Sequence, residues 1–337
     1  MDLNFKDMAR LRKFADFMKD MDRQIGFRVS SRGWAYILEQ KRFINKDQFD
    51  RVTNLINRCR KKGLLPIDFT AEAAARDFKG IESPDTQHIV DYFGAALEGC
   101  LDVGDYYTPD WWEGEEWYIQ VVVEKIDLVT LFKPVCQEYH IPIANSKGWS
   151  SMRQRAEYAR RFAEARDKGM KCALLYCGDH DPDGLRISDF IRGNLNDLKN
   201  IHWSDGTRGY DPYDLTIDRF GLNYDFIEEN GFTWIDNLIT GSGRNLASPE
   251  HKNYEMPYVQ EYLRDVGERK CEANAIVVLP EVARELMREV IEGYLGEDAK
   301  DRFESRRQAV KDEMELFLND SGSGELIKEV LDNIENR

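Results

Sequence analysis

The sequence lacks the features that mark several common protein classes. Its 337 residues contain no run of some 18 apolar residues, so no segment reads as a membrane-spanning helix. The opening MDLNFKDMARLRKF alternates charged and apolar side chains and lacks the apolar stretch of a signal peptide. A cytoplasmic protein with no membrane partner is therefore expected. Six cysteines are scattered without a CxxC pair, which removes zinc ribbons and dithiol redox motifs. Cys172 and Cys177, inside an apolar segment, read as buried thiols. The five histidines form no ligand cluster. There is no GxxxxGK[ST] loop, and Gly241-Ser242-Gly243 is an isolated GxG, so no nucleotide site is expected. Internal repeats and low-complexity tracts are also absent.

What remains is an ordinary globular mix, 42% apolar and 32% charged, of a length that suits two domains. The net charge of -15 argues at first against a polyanionic partner. Its distribution changes that. Residues 1–80 hold 18 Lys+Arg against 11 Asp+Glu, a net of +7, while the remainder is at -22. A basic DNA-gripping module joined to a carboxylate-rich metal domain has this asymmetry, and so does a merely solvated basic surface.

Periodicity predicts an amphipathic helix over 4–23, with Phe5, Met8, Leu11, Phe14 and Met18 on one face. A helix over 31–40, capped by Ser30 or Ser31, precedes a turn through 44–46 and a second helix over 47–60 ended by Gly63. LLPIDF (64–69) then reads as extended. Two short helices and an extended segment fit a helix-turn-helix or winged-helix module. Lys46, Arg51, Arg58, Arg60, Lys61 and Lys62 make its second helix a candidate DNA contact. A helix over 84–100 is expected to pack against this module. Residues 102–116, rich in Gly, acids and aromatics, read as the linker, giving domains at 1–105 and 116–337.

From Trp117 strands and helices alternate. Strands are expected at 117–124, 141–145, 171–177 and 215–222. Helices are expected at 126–140 (with a break at Pro134), at 150–169 capped by Ser150, and at 183–198. This order implies an α/β domain with a mostly parallel, helix-covered sheet. Residues 280–337 read as charged helices that loosen after Ser321-Gly322-Ser323-Gly324.

Ligand sites on parallel sheets lie at the carboxyl ends of strands. Glu124 ends the first expected strand, and Gly178-Asp179-His180-Asp181-Pro182-Asp183-Gly184 follows another. Alternating carboxylates repel one another unless a cation compensates, and oxygen-only ligands suit Mg²⁺, which acts as a Lewis acid on phosphodiesters. A plain acidic turn gives the same DxDxDG pattern; Glu124, from a separate strand, is what points to a metal. A calcium loop needs Glu at its twelfth position, which counted from Asp179 is Phe190.

VVVEKIDLV followed by LLYCGDHDPDG resembles a Toprim domain, and the Asp-Pro-x-Gly after the second acid is closest to the topoisomerase VI A subunit and its meiotic double-strand-break relatives. The resemblance implies Glu124, Asp179 and Asp181 as metal residues. Asp183 is more like the third acid of type IIA enzymes, and Lys125 reads as a partner for one of these acids. Ser31-Arg32-Gly33-Trp34-Ala35-Tyr36 resembles the Thr-x-Arg-x-x-Tyr-Tyr stretch of the same family's winged-helix (CAP-like) domain. Arg32 and Tyr36 keep its four-residue spacing, which puts both on one helix face. Trp34 and Ala35 depart from the pattern. Tyr36 is thus a candidate nucleophile, and otherwise a helix aromatic packed on the core. Lys270 to Ile276, followed by Pro280, resembles the family's Glu-x-x-Ala-Leu-x-Pro stretch. It is read as a cap on the sheet, with Glu272 left outside the site. His180 reads as a turn residue, and Arg153, Arg155, Arg160 and Arg161 as either a DNA-lining row or partners of Glu157 and Glu164.

The resemblance implies an enzyme: a Mg²⁺-dependent DNA transesterase, type IIB topoisomerase A-like and nucleoid-associated, acting on double-stranded DNA as a homodimer. It also implies a separate ATPase subunit for strand passage. In the family the tyrosine and the metal come from different subunits, so a monomer is expected to be inactive. Two alternatives stay open, a Toprim nuclease using metal-activated water and a non-catalytic DNA-binding relative.

Overall fold

The computed structural model describes residues 7–71, 87–146, 152–239 and 243–336. Three helices open the chain: α1 (Met8–Ile25), α2 (Ser31–Gln40) and α3 (Phe49–Lys61); α4 (Ile89–Leu101) and α5 (Val103–Tyr106) follow. Then come β1 (Trp117–Val123), α6 (Ile126–Glu138), β2 (Ile143–Asn145), α7 (Met152–Asp167), β3 (Lys171–Cys177), α8 (Pro182–Leu185), α9 (Ile187–Asn196) and β4 (Thr216–Arg219). The remaining elements are helices: α10 (Tyr224–Glu229), α11 (Pro257–Asp265), a 3-10 segment (Ala273–Val278), α12 (Pro280–Leu295), α13 (Ala299–Asp320) and α14 (Ser323–Glu335).

The protein is mixed α/β, and its four strands form one all-parallel sheet in the order β2-β1-β3-β4. β1 and β3 are the inner strands, paired from Trp117 with Lys171 to Val123 with Cys177. Six of seven residues in each are buried, as expected of apolar runs covered on both faces. The chain leaves β1 towards β2 on one side, and β3 lies on the other. The strand order therefore reverses between β1 and β3, where open parallel sheets form a crevice.

Contacts divide the chain into two compact units, residues 1–72 with 115–294 and residues 73–114 with 295–337. This differs from the 1–105 and 116–337 division read from composition. The first three helices and the sheet belong to one unit. In it α1 buries Leu11, Phe14 and Met18, and Asp7 caps it by accepting from the Arg10 N–H at 2.8 Å. Phe5 lies outside the described residues. α2 buries Trp34, Ile37 and Leu38, with Trp34 stacked on Phe69 at 5.4 Å. LLPIDF is a correction: no strand forms among the described residues before β1. Leu65 and Phe69 tuck into the core, and the Arg60 guanidinium binds the Ile67 carbonyl, so the segment folds back instead of pairing as a wing.

Other expectations shift locally. α6 runs through Pro134 without a break. The helix expected over 183–198 divides at Arg186 into α8 and α9, and the last strand is confined to Thr216–Arg219. The Ser150 cap falls outside the described residues. In the second unit α4 packs on α14, where its apolar length finds a helical partner. The expected linker is packed too. Trp111 is buried against Phe303 at 4.7 Å, its carbonyl accepts from Arg306 at 2.7 Å, and Asp105 pairs with Lys311 at 2.6 Å. The C-terminus does not loosen at 321–324: Gly322 adopts the left-handed conformation there and α14 begins.

Candidate functional site

The ladder between β1 and β3 continues one residue past Val123, with the Glu124 N–H donating to the Cys177 carbonyl at 2.9 Å. This puts the Glu124 side chain beside the loop that leaves β3. Its Oε2 accepts from the Asp179 N–H at 2.8 Å. Lys125 Nζ donates to Glu124 Oε1 and, at 2.9 Å, to Asp179 Oδ2. Asp179 Oδ1 accepts from the Ala273 N–H at 2.6 Å. Two acids 55 residues apart in sequence thus converge around one ammonium. Burial, then the Glu124 charge, pushes the Asp179 carboxyl above the usual range, while Lys125 opposes the rise. Burial alone would lower the Lys125 ammonium, yet Asp179 and Glu124 outweigh it and hold it well above its ordinary value.

The loop is held rigidly from outside. Arg219, at the end of β4, donates to the Gly178 carbonyl at 3.2 Å and to the Asp179 carbonyl at 3.0 Å. His180 and Cys271 exchange backbone hydrogen bonds of 2.8 and 3.1 Å, and Tyr262 donates to the His180 carbonyl. The His180 ring is buried, with Nδ1 against the Leu222 carbonyl at 2.7 Å, so it faces away from any phosphate. Asp181 caps α8, accepting from the Gly184 N–H at 2.6 Å; burial raises its carboxyl and that bond opposes the rise. Only glycine fits at 184, because a Cβ there would lie 2.2 Å from the Asp179 carbonyl oxygen. Asp183 accepts from the Tyr258 hydroxyl at 3.2 Å.

The other wall of the crevice comes from the first three helices. The 3-10 segment packs on α2, and the preceding His180–Cys271 bridge delivers Glu272 to the same place. Glu272 is buried; it pairs with Lys46, at the start of the turn into α3, and with Lys270 at 3.5 Å. Burial raises its carboxyl, but the Lys46 hydrogen bond and the charges of Lys46 and Lys270 outweigh this and leave it below its ordinary value. Tyr36 projects from α2 with its ring edge-on to Phe49 at 4.8 Å. Burial, assisted by Glu272, pushes the Tyr36 phenol up to about 12, against the influence of Arg32 and Lys125.

These side chains line one cleft of about 990 Å³. Arg32, Tyr36, Glu124, Asp179, Asp181 and Asp183 all border it, and so do Lys46, Lys125, Lys270 and Glu272. All belong to one compact unit of one chain. Among the described residues no group of three or more His, Cys, Asp or Glu side chains is arranged to hold a metal ion. The arrangement is a pair, Glu124 with Asp179, with Asp181 and Asp183 turned to partners of their own. A pair of carboxylates is what Mg²⁺ commonly takes from protein, and the ammonium between them marks a cation position.

The remaining candidates fall elsewhere. Arg51, Arg58, Lys61 and Lys62 are exposed on or just after α3, Arg60 is partly buried against Ile67, and none borders the cleft. Arg153 pairs with Glu157, Arg160 with Glu164 and Asp205, and Arg155 with Asn194. Lys270, Arg219 and Glu272 were outside the set of site residues drawn from the sequence, and Lys46 was read only as a DNA contact of the second helix. The Glu-x-x-Ala resemblance marked Glu272, but nothing in the spacing of Lys46, 226 residues away, marks it as a partner. No protein-family model, curated protein or solved structure matches this chain.

Proposed function

We propose that this chain is a Mg²⁺-dependent DNA-cleaving transesterase of the Toprim type, similar to the topoisomerase VI A subunit, with Tyr36 as its nucleophile. The observation that carries this reading is the single cleft bordered by Tyr36, Arg32 and the Glu124–Asp179 pair. The first three helices take the part of the DNA-gripping module, and the parallel sheet takes that of the metal domain. Glu124 and Asp179 would hold the ion, while Asp181 and Asp183 border the same cleft with partners of their own. Bound there, Mg²⁺ supplies Lewis-acid stabilisation of the phosphorane-like charge.

Arg32 holds a phosphate oxygen and draws the phenol towards ionisation, opposing the rise caused by burial. Tyr36 loses its hydroxyl proton to water and attacks phosphorus in line. The bond to the 3′-oxygen breaks, that oxygen takes a proton from water, and a 5′-phosphotyrosyl link remains. The reverse attack by the 3′-hydroxyl reseals the strand. The test is covalent trapping: the protein is denatured on 3′-end-labelled duplex in the presence of Mg²⁺. Label retained by wild-type protein and lost with Tyr36→Phe or with chelator is the expected outcome. One observation favours a second reading. The phenol is raised and lies beside an anion in the resting cleft, which suits hydrolysis by activated water instead. Mg²⁺-dependent cutting that persists in Tyr36→Phe with no adduct replaces the first reading with this one.

A further inference from the structure

The three lysines that border the cleft are all already paired with carboxylates. Lys125 lies between Glu124 and Asp179, while Lys46 and Lys270 share Glu272. Each of these three lysines is thus compensated by a carboxylate within the resting cleft, which Arg32, Asp181 and Asp183 also border. An anion that took Lys125 alone would leave Glu124 and Asp179, the latter side chain 16% exposed, facing each other uncompensated. A divalent cation that took the two carboxylates alone would strand the Lys125 ammonium. Arriving together, the ligands exchange partners: carboxylates pass to the divalent cation, ammoniums to the phosphate oxygens, and no buried charge is left unpaired.

The two lysines on Glu272 differ in freedom. Lys270 is 8% exposed and also donates to the Ile239 carbonyl at 2.7 Å, so it stays. Lys46 is 44% exposed and is free to swing while Lys270 keeps Glu272 compensated. Asp181 and Asp183 are occupied by the Gly184 N–H and the Tyr258 hydroxyl and do not enter the exchange. Arg32 pairs with an exposed Asp50 at 3.9 Å, lies over the Phe49 ring at 5.8 Å and acts on the Tyr36 hydroxyl.

We propose that Lys125 and Lys46 are the phosphodiester-receiving residues of this cleft, and that phosphodiester and divalent cation bind it cooperatively because each releases the ion pair that blocks the other. The proposal rests on the DNA-cleaving reading for the identity of the anion, and by linkage the cooperativity is reciprocal.

The experiment is a calorimetric titration of Mg²⁺ into the full chain carrying Tyr36→Phe, which can form no phosphotyrosyl link, with and without saturating short duplex DNA. Mg²⁺ is expected to bind at least about fivefold more tightly with the duplex present, within the usual range for coupled sites. Lys125→Met is expected to tighten Mg²⁺ binding in the absence of DNA and to shrink the gain on adding it. Lys46→Met, at a side chain open to solvent, is expected to weaken duplex binding several-fold while leaving Mg²⁺ binding alone unchanged. Equal Mg²⁺ affinity with and without duplex overturns the proposal whatever the variants do. Cooperative binding together with no covalent adduct from wild-type protein sinks the transesterase reading and leaves this proposal standing; an adduct with no cooperativity does the reverse.

Discussion

Tyr36 is a protonated phenol in the resting cleft, held high by burial and by the Glu272 carboxylate beside it. A neutral phenol is a weak nucleophile, so the fraction ionised sets the rate of attack. With the phenol at about 12, that fraction grows with every unit of pH up to that value. Adduct formation at saturating DNA and Mg²⁺ is therefore expected to rise roughly tenfold per pH unit between about pH 7 and 9, the slope for a single proton lost below its pKa. Single-turnover rates across that range measure it, and a flat profile removes phenol ionisation from the rate. Glu272→Gln takes away one cause of the rise, so the same profile is expected to shift to lower pH. The resemblance marked Arg32 and Tyr36 from four residues of spacing, and the structure does put both on one cleft wall. What spacing does not carry is charge from elsewhere. Glu272 and Lys270 are brought beside the tyrosine helix through the His180–Cys271 bridge, a pairing between residues 91 apart that no local pattern announces.

At the scale of elements, α2 owes its position to its first turn. Ser30 caps it, accepting from the Gly33 N–H at 3.0 Å, while the Ser30 N–H and hydroxyl both donate to buried Asp127, at 2.7 and 3.1 Å. The fit leaves no room: a Cβ on Gly33 would lie 2.3 Å from Asp127 Oδ2 and 2.4 Å from Val29 Cγ1. Ser30→Ala is expected to cost about 1 kcal/mol, the usual worth of an N-cap. Gly33→Ala is expected to cost about 1–3 kcal/mol as an overpacked site. Both are read as a lower denaturation midpoint at unchanged slope; an unaltered midpoint for Gly33→Ala dismisses the close fit. The four strands were legible because β-branched and apolar runs such as YIQVVV have no other way to be buried on both faces. The break between α8 and α9 was not, since Arg186 is a good helix former and the interruption comes from the turn that Asp181 and Gly184 impose. LLPIDF was misread for a similar reason. Its apolar residues fit a strand, but they fill a helical core and no strand edge is offered to them.

For the whole molecule, the division into units is the part that sequence composition concealed. The second unit is built from two segments separated by 180 residues, so the Gly-, acid- and aromatic-rich stretch that reads as a linker is one of its packed walls. The first unit contains both the tyrosine and the acids, whereas the family resemblance implies that they come from different subunits. A chain with both bordering one cleft is expected to act in cis. Mixing inactive Tyr36→Phe protein with inactive Glu124→Gln protein is accordingly expected to restore no covalent adduct. Recovery of about a quarter or more of wild-type labelling, as random sharing between subunits would give, instead assigns the two groups to separate chains.

The Ser30–Asp127 contact has one more consequence. Asp127 lies one turn beyond Glu124, in the opening turn of α6. The start of the tyrosine helix is thereby moored within three residues of the acid that ends β1. The two cannot part without unpicking a buried carboxylate from the Ser30 N–H and hydroxyl, a tie that holds the tyrosine helix beside the acids in the resting cleft. Under the proposed function, selectivity would fall on the strand, which would have to bend or unstack to thread its phosphate into a gauge already set, and duplexes that deform easily are expected to be cut most readily.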